Sequence, residues 1–244
     1  MYAPSVAGNS KIKGKITMDN IIKIFPLISL MISKLGIENK IVYSKSFCNK
    51  NKKLKDAIRL KKLFDFYGSD KSKLHDYHLI YSSIFKNSNK VKKILEIGIG
   101  TNDTLMLSNM GKFGKPGASL KAYRDYFKKS RIYGADIDKK ILFKDKRILT
   151  KYVDQTDHQS IRKLFKSYGD RFDLIVDDGL HSHIANLNLF IHSLKFLKKG
   201  GCFVIEDISL KSKTIWLTIS TILSFKHKCF LIKCKRSYVF LIYK

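Results

Sequence analysis

From Val91 onward the chain alternates short apolar runs with stretches of helical periodicity, and each run closes on a glycine or a carboxylate. The closing residues are Glu96-Ile-Gly98-Ile-Gly100, Asp136, Asp154, Asp177-Asp178-Gly179-Leu180-His181 and Glu206-Asp207. Strands that alternate with helices are joined by crossovers and build a parallel sheet with helices on both faces. Ligands of such sheets bind in the crevice beyond the carboxyl ends of the strands. The glycines, carboxylates and histidine at these ends are therefore expected to share one site. The first end reads as a nucleotide-type cradle, the other two as a metal and a base.

Apolar runs predict strands over residues 94–97, 131–135, 148–153, 172–176, 202–205, 230–234 and 238–243. Helices are predicted over 119–127 with Ser119 as N-cap, over 160–168, over 185–197 stopped by Gly200-Gly201, and around 215–223. The basic turn between the last two strands is too short to join parallel neighbours, so they should form an antiparallel hairpin at the sheet's edge. Upstream, residues 21–35, 54–64 and 74–85 read as helices. The fold class expected is α/β: a Rossmann-like, doubly wound, mainly parallel sheet with a C-terminal antiparallel hairpin and an N-terminal helical extension. The division expected is a loose segment and helical extension over 1–90 and a ligand-binding domain over 91–244.

At 244 residues the chain suits one α/β domain with an extension. Its net charge of +28 favours acidic partners such as nucleic acid or anionic lipid. The excess is almost all lysine, spread along the chain, whereas bidentate reading of phosphates and bases uses arginine. A solvated basic surface is the simpler reading, with nucleic acid kept as a rival. Cys48, Cys202, Cys229 and Cys234 form no Cys-x-x-Cys pair and read as free thiols of a reducing compartment. The apolar stretch 21–35 is interrupted by Lys23, Pro26 and Lys34 and is too short to span a bilayer. It lacks the flanks of a signal segment, so the expected location is cytoplasmic; a helix packed on the domain or lying at a membrane surface are both left open.

Gly98 and Gly100 let backbone approach a ligand where a side chain would block it. Asp103 stands where a dinucleotide fingerprint wants its third glycine, so this motif alone is weak. Asp136 at the next strand end could accept both hydroxyls of a ribose, and Asp154 with Gln155 could hold an adenine edge.

These residues resemble the class I S-adenosylmethionine-dependent methyltransferases. The general likeness rests on Glu96-Ile-Gly98-Ile-Gly100, on Asp136 within Gly-Ala-Asp-Ile-Asp, and on Asp154-Gln155-Thr156-Asp157. A narrower likeness, to metal-dependent sugar O-methyltransferases acting on macrolide deoxysugars and related glycans, rests on Gly117-Ala-Ser-Leu-Lys-Ala-Tyr-Arg-Asp-Tyr-Phe127, Asp177-Asp178-Gly-Leu-His181 and Val204-Ile-Glu206-Asp207. Tyr123 stands where that group usually has tryptophan, and Leu180 where serine is more usual. The resemblance implies S-adenosyl-L-methionine at Glu96, Gly98, Gly100, Asp136, Asp154, Gln155 and Asp177, and Mg²⁺ at Asp178, Glu206 and Asp207. Three carboxylates with open positions suit Mg²⁺ better than zinc. His181, three residues after Asp178, is the expected general base, with His183 as its rival.

The function so implied is Mg²⁺-assisted O-methylation of a sugar hydroxyl in a glycoside, nucleotide sugar or polysaccharide. An RNA ribose 2′-O-methyltransferase and a non-catalytic, cofactor-binding member of the fold are the alternatives. Amino-group nucleic-acid enzymes of this class carry Asn or Asp followed by Pro-Pro and an aromatic where this chain has Asp177-Asp178-Gly179, and ring-carbon enzymes need a cysteine that the loop lacks. The segment Tyr67-Gly-Ser-Asp-Lys-x-x-x-His75-x-Tyr77 either shapes the pocket or packs a helix by its aromatic residues. Assembly into a homo-oligomer is left open.

Overall fold

The computed structural model describes residues 24–37, 39–51, 53–169 and 171–244. Of the expected first helix, residues 21–23 lie outside the described residues, and 24–34 are helical (α1). Then follow β1 (Ile41–Tyr43), α2 (Ser44–Lys50), α3 (Leu54–Tyr67) and a single turn, α4 (His78–Tyr81). The core runs β2 (Lys93–Ile97), α5 (Ala118–Tyr126), β3 (Arg131–Asp136), β4 (Lys144–Asp145), β5 (Ile148–Tyr152), α6 (His158–Tyr168), β6 (Phe172–Asp177), α7 (His183–Ser193), β7 (Leu197–Ile208), α8 (Lys213–Ser224), β8 (Cys229–Lys233) and β9 (Tyr238–Tyr243).

Among the described residues nine strands form one sheet, in the order β1-β8-β9-β7-β6-β2-β3-β5-β4. The strands from β7 through β6, β2 and β3 to β5 are parallel, and β9 runs antiparallel to both β7 and β8. The strand order reverses between β2 and β6, which is where such sheets open a ligand crevice.

Residue alternation sorts the core onto two faces. Ile94, Leu174, Val204 and Leu241 point to the face covered by Leu60 and Phe64 of α3, Tyr81 of α4 and Leu120 of α5. Leu95, Ile175, Phe203 and Phe240 point to the other, against Phe165 of α6, Leu189 of α7 and Trp216 of α8. Strands apolar on both faces need cover on both faces, and β9, with Val239 and Leu241 on one and Phe240 and Ile242 on the other, is accordingly interior.

The structure adds α2 and β4, which no sequence pattern predicts, and departs from expectation in four further places. The C-terminal hairpin forms but is not the edge: β1, from a region expected to hold only a loose segment and helices, pairs in parallel with β8. The helix expected over 74–85 shrinks to α4, because residues 70–77 turn inward instead. Ser119 does not cap α5, whose N-cap is Gly117 in a left-handed conformation (φ 71°); the Ser119 hydroxyl donates to Glu96. Gly200 and Gly201 lie inside β7, where the β6–β7 register shifts, rather than ending a helix. All four cysteines are free and buried.

Candidate active site

β2 leaves the sheet through Gly98 and Gly100, both with φ 83°. A Cβ on Gly98 would run into the carbonyl of Asp178, and one on Gly100 into Met110. The glycines thus let the loops after β6 and β2 close on the strand exit, a demand set by the chain's own packing as much as by any ligand. The Asp178 N–H donates to the Ile97 carbonyl (2.8 Å), which places Asp178 beside that exit. Beyond the strand ends lies a cavity of about 440 Å³, lined by Gly98, Gly100, Asp136, Asp154, Gln155, Asp178, His181, Glu206 and Asp207 among others. Its rim carries Leu105 and Leu107, both more than nine-tenths exposed.

Strand parity decides where the acids go. Glu96 and Glu206 share the parity of Ile94 and Val204 and enter the face under α3–α5. There the Lys71 ammonium, from the segment between α3 and α4, donates to Asp178 Oδ2 (2.6 Å) and to Glu206, and lies 3.1 Å from Glu96 Oε1. Tyr81 donates to the other oxygen of Glu206. Burial would strip the proton from Lys71, but Asp178, Glu206 and Glu96 outweigh it and hold the amine firmly cationic. Burial and neighbouring Asp178 push the Glu206 carboxyl well up, against the pull of Lys71.

Asp207 has the opposite balance. Burial alone would raise it, yet His75, with Nδ1 3.0 Å from Oδ1, and the Tyr77 hydroxyl, donating at 2.7 Å, hold its carboxyl well below the usual range. Asp207 and His181 both take left-handed backbone (φ 52° and 55°), as does Asp76 beside Tyr77 (φ 57°). For residues with a Cβ such conformations cost free energy and persist where the surroundings over-determine them. Asp178, His181 and Asp207 each offer a ligand atom, all within 4.8 Å of one another; His181 Nε2 is 3.9 Å from Asp178 Oδ1.

The remaining expected residues divide. Asp154 and Gln155 line the cavity, but Gln155 also donates to Asp177 (2.6 Å) and accepts from the Leu180 N–H (3.0 Å), so it braces the His181 loop. Asp136 lines the cavity while accepting from the Ile99 N–H (2.8 Å) and the Asp138 N–H (2.9 Å). Glu96 and Asp177 are fully buried and stand behind the wall. Asp177 is bound by Gln155 and Asn186 (2.8 Å), and burial pushes its carboxyl up to about 6. Glu206 lines the cavity but lies outside the close group formed by Asp178, His181 and Asp207. His183 opens α7 and is not part of the lining.

Sequence reasoning misses Tyr81 and assigns no acting role to Lys71, His75 or Tyr77. The signal available was the segment 67–77, for which pocket and packing were both open. Lys71, His75 and Tyr77 all reach the cavity wall, while Tyr81 packs against Tyr123 behind it. Tyr123 itself is fully buried away from the lining, whereas Leu180 is part of it.

No protein-family model matches the chain. It is 31% identical over 143 residues to 8-demethyl-8-alpha-L-rhamnosyl tetracenomycin-C 2′-O-methyltransferase of Streptomyces olivaceus, covering 58% of this chain and 35% of that protein. It is 33% identical over 137 residues to demethylmacrocin O-methyltransferase of Streptomyces fradiae, covering 55% and 32%. Among solved structures it superimposes on MycE methyltransferase from the mycinamycin biosynthetic pathway, in complex with Mg and SAH. The TM-score is 0.52 at 28% identity, over 61% of this chain and 37% of that one. The chain thus spans about a third of the length of the relatives it matches. The resemblance read from the motifs falls on the same group of proteins: over its core the chain is similar to sugar O-methyltransferases, and its fold is that of the class I methyltransferases.

Proposed function

We propose that this chain is an S-adenosylmethionine-dependent, Mg²⁺-assisted O-methyltransferase acting on a sugar hydroxyl of a glycoside, nucleotide sugar or polysaccharide. The observation that carries this reading is the meeting of Asp178, His181 and Asp207 within 4.8 Å, on the wall of the cavity into which β2 opens through its glycines. The likeness to sugar O-methyltransferases supports the substrate class.

Asp136, Asp154 and Gln155 line the part of the wall suited to ribose and adenine, with Gly98 and Gly100 at its base. S-adenosylmethionine bound there supplies the electrophilic methyl group. The carboxylates fit a hard dication: Asp178 and Asp207 would hold it, whereas the oxygens of Glu206 are taken by Lys71 and Tyr81. Mg²⁺ at that position would stabilise negative charge developing on the acceptor oxygen. Because Mg²⁺ prefers oxygen, the His181 imidazole stays free to take the hydroxyl proton at Nε2. The cavity walls would hold the acceptor beside the donor, and such positioning is where most of the remaining acceleration would arise.

The test is donor turnover by the purified chain against glycosides, nucleotide sugars, polysaccharides and RNA, with Mg²⁺ or with chelator. Turnover on a sugar acceptor that stops with chelator is expected. Chelator-insensitive turnover removes the metal role, and methylation of RNA alone moves the acceptor to ribose, the reading that the net charge of +28 favours. His181→Ala is expected to lower kcat by about 100-fold or more while donor affinity stays within about twofold; an unchanged kcat rejects His181 as the base.

A further inference from the structure

The least expected feature of the site is a lysine, only 3% exposed, where carboxylates from three strand ends converge. An ammonium group has three N–H donors. Here it donates to Asp178 Oδ2 at 2.6 Å and to a Glu206 oxygen, and forms an ion pair with Glu96 Oε1 at 3.1 Å. Tyr81 and Ser119 take further lone pairs of Glu206 and Glu96, so the two glutamates are committed to the protein. Asp178 alone divides its oxygens, Oδ2 to Lys71 and Oδ1 toward His181.

We propose that Lys71 is the resident counter-cation of this site: it occupies Glu96 and Glu206, shares Asp178 with an incoming divalent ion, and so sets how tightly that ion is held. The assignment rests on the reading of Asp178 as a metal ligand. Two consequences follow from charge alone. A fixed positive charge touching a ligand carboxylate repels a dication and competes for the same oxygens. It also keeps the carboxylates assembled when no ion is bound, since crowded acids without a cation repel one another. Lys71 is thus a positioning residue, and metal affinity is the readout that a purely structural role would leave unmoved.

The experiment compares Mg²⁺ binding by titration calorimetry in the full chain and in Lys71→Met, which keeps side-chain length and removes the charge. Folding is checked by circular dichroism, and donor turnover is recorded alongside. A Kd at least tenfold lower in folded Lys71→Met is expected; an equal or higher Kd overturns the assignment. If the unsubstituted chain takes no Mg²⁺ but Lys71→Met does, the metal part of the proposed function falls and the assignment of Lys71 stands. If Mg²⁺-dependent turnover is present but Kd is unchanged by Lys71→Met, the function stands and the assignment falls. Should Lys71→Met fail to fold, lysine-selective NMR of the unsubstituted chain decides. A Lys71 side-chain signal displaced by Mg²⁺ supports the assignment, and one unmoved throughout the titration overturns it.

Discussion

At the scale of single residues, Gly98 and Asp177 show how much of this site is set by close packing. Gly98 takes φ 83°, and a Cβ there meets the Asp178 carbonyl, so Gly98→Ala combines backbone strain with a backbone clash. A loss of roughly 2–4 kcal/mol in urea-unfolding stability is expected, with cavity ligands weakened because the Asp178 loop must retreat. Asp177 is fully buried with its carboxyl pushed up to about 6, against 3.8 for the free side chain. The folded state therefore binds a proton that the unfolded chain releases. Its stabilising contribution is complete below about pH 4 and is lost as the pH rises through about 6. The shift corresponds to a change on the order of 2–3 kcal/mol. Asp177→Asn should flatten that part of the stability profile, measured by urea unfolding between about pH 4 and pH 7; an unaltered slope would assign the pH dependence elsewhere. Neither property is written in a motif. Gly-x-Gly and Asp-Asp announce a strand exit and an acid pair, but burial decides which acid faces the cavity.

At the scale of elements, α6 and α7 on the Asp177 side carry side-chain N-caps, whereas α2, α3, α4 and α5 on the Lys71 side do not. Asp157 caps α6 by accepting from the Gln159 N–H (2.8 Å), and Ser182 caps α7 by accepting from the Ala185 N–H (3.2 Å). Asp157→Ala should cost about 1 kcal/mol of stability and leave turnover alone, as checked by thermal unfolding beside an activity assay. The strands β2, β3, β5, β6 and β7 were readable because each holds a short β-branched or aromatic run with a carboxylate or glycine at its end, whereas β4, a Lys-Asp pair, has no such run. The segment 67–81 was not readable either. Its histidines, tyrosines and lysine fit an amphipathic helix equally well, and only the carboxylates of β2, β6 and β7 make an inward loop the better solution. Its Lys71 pairs with Asp178, Glu206 and Glu96, Tyr81 donates to Glu206 and Tyr77 to Asp207, and of these acids Glu96 and Glu206 are fully buried.

At the scale of the whole molecule, a net charge of +28 on 244 residues places many lysines near one another on the surface. Self-repulsion of that kind is screened by salt. Raising NaCl from about 0.02 M to about 0.3 M should lift Tm by ~3 °C or more, as seen by scanning calorimetry; a falling Tm would mean that attractive pairs dominate. No helix among the described residues is long and apolar enough to cross a membrane. The sheet itself is extended by β1, a three-residue strand that covers the β8 edge with few free backbone groups of its own. So short a run carries no periodicity, which is why pattern reading passed over it.

The sequence by itself determined the parallel αβ succession, the hairpin after α8 and the residues offered at each strand end, because these follow from alternation, turn chemistry and the carboxyl-end rule, all local in the chain. The tertiary structure decided what those residues face. Whether Asp177 or Asp178 reaches the cavity, whether Glu206 meets a metal or Lys71, and whether β9 lies inside or at the rim are settled by strand parity and by contacts between positions distant in sequence, Lys71 with Asp178 and Glu206 and β7 with β9 among them. Such contacts depend on register and burial, which no single stretch of sequence contains.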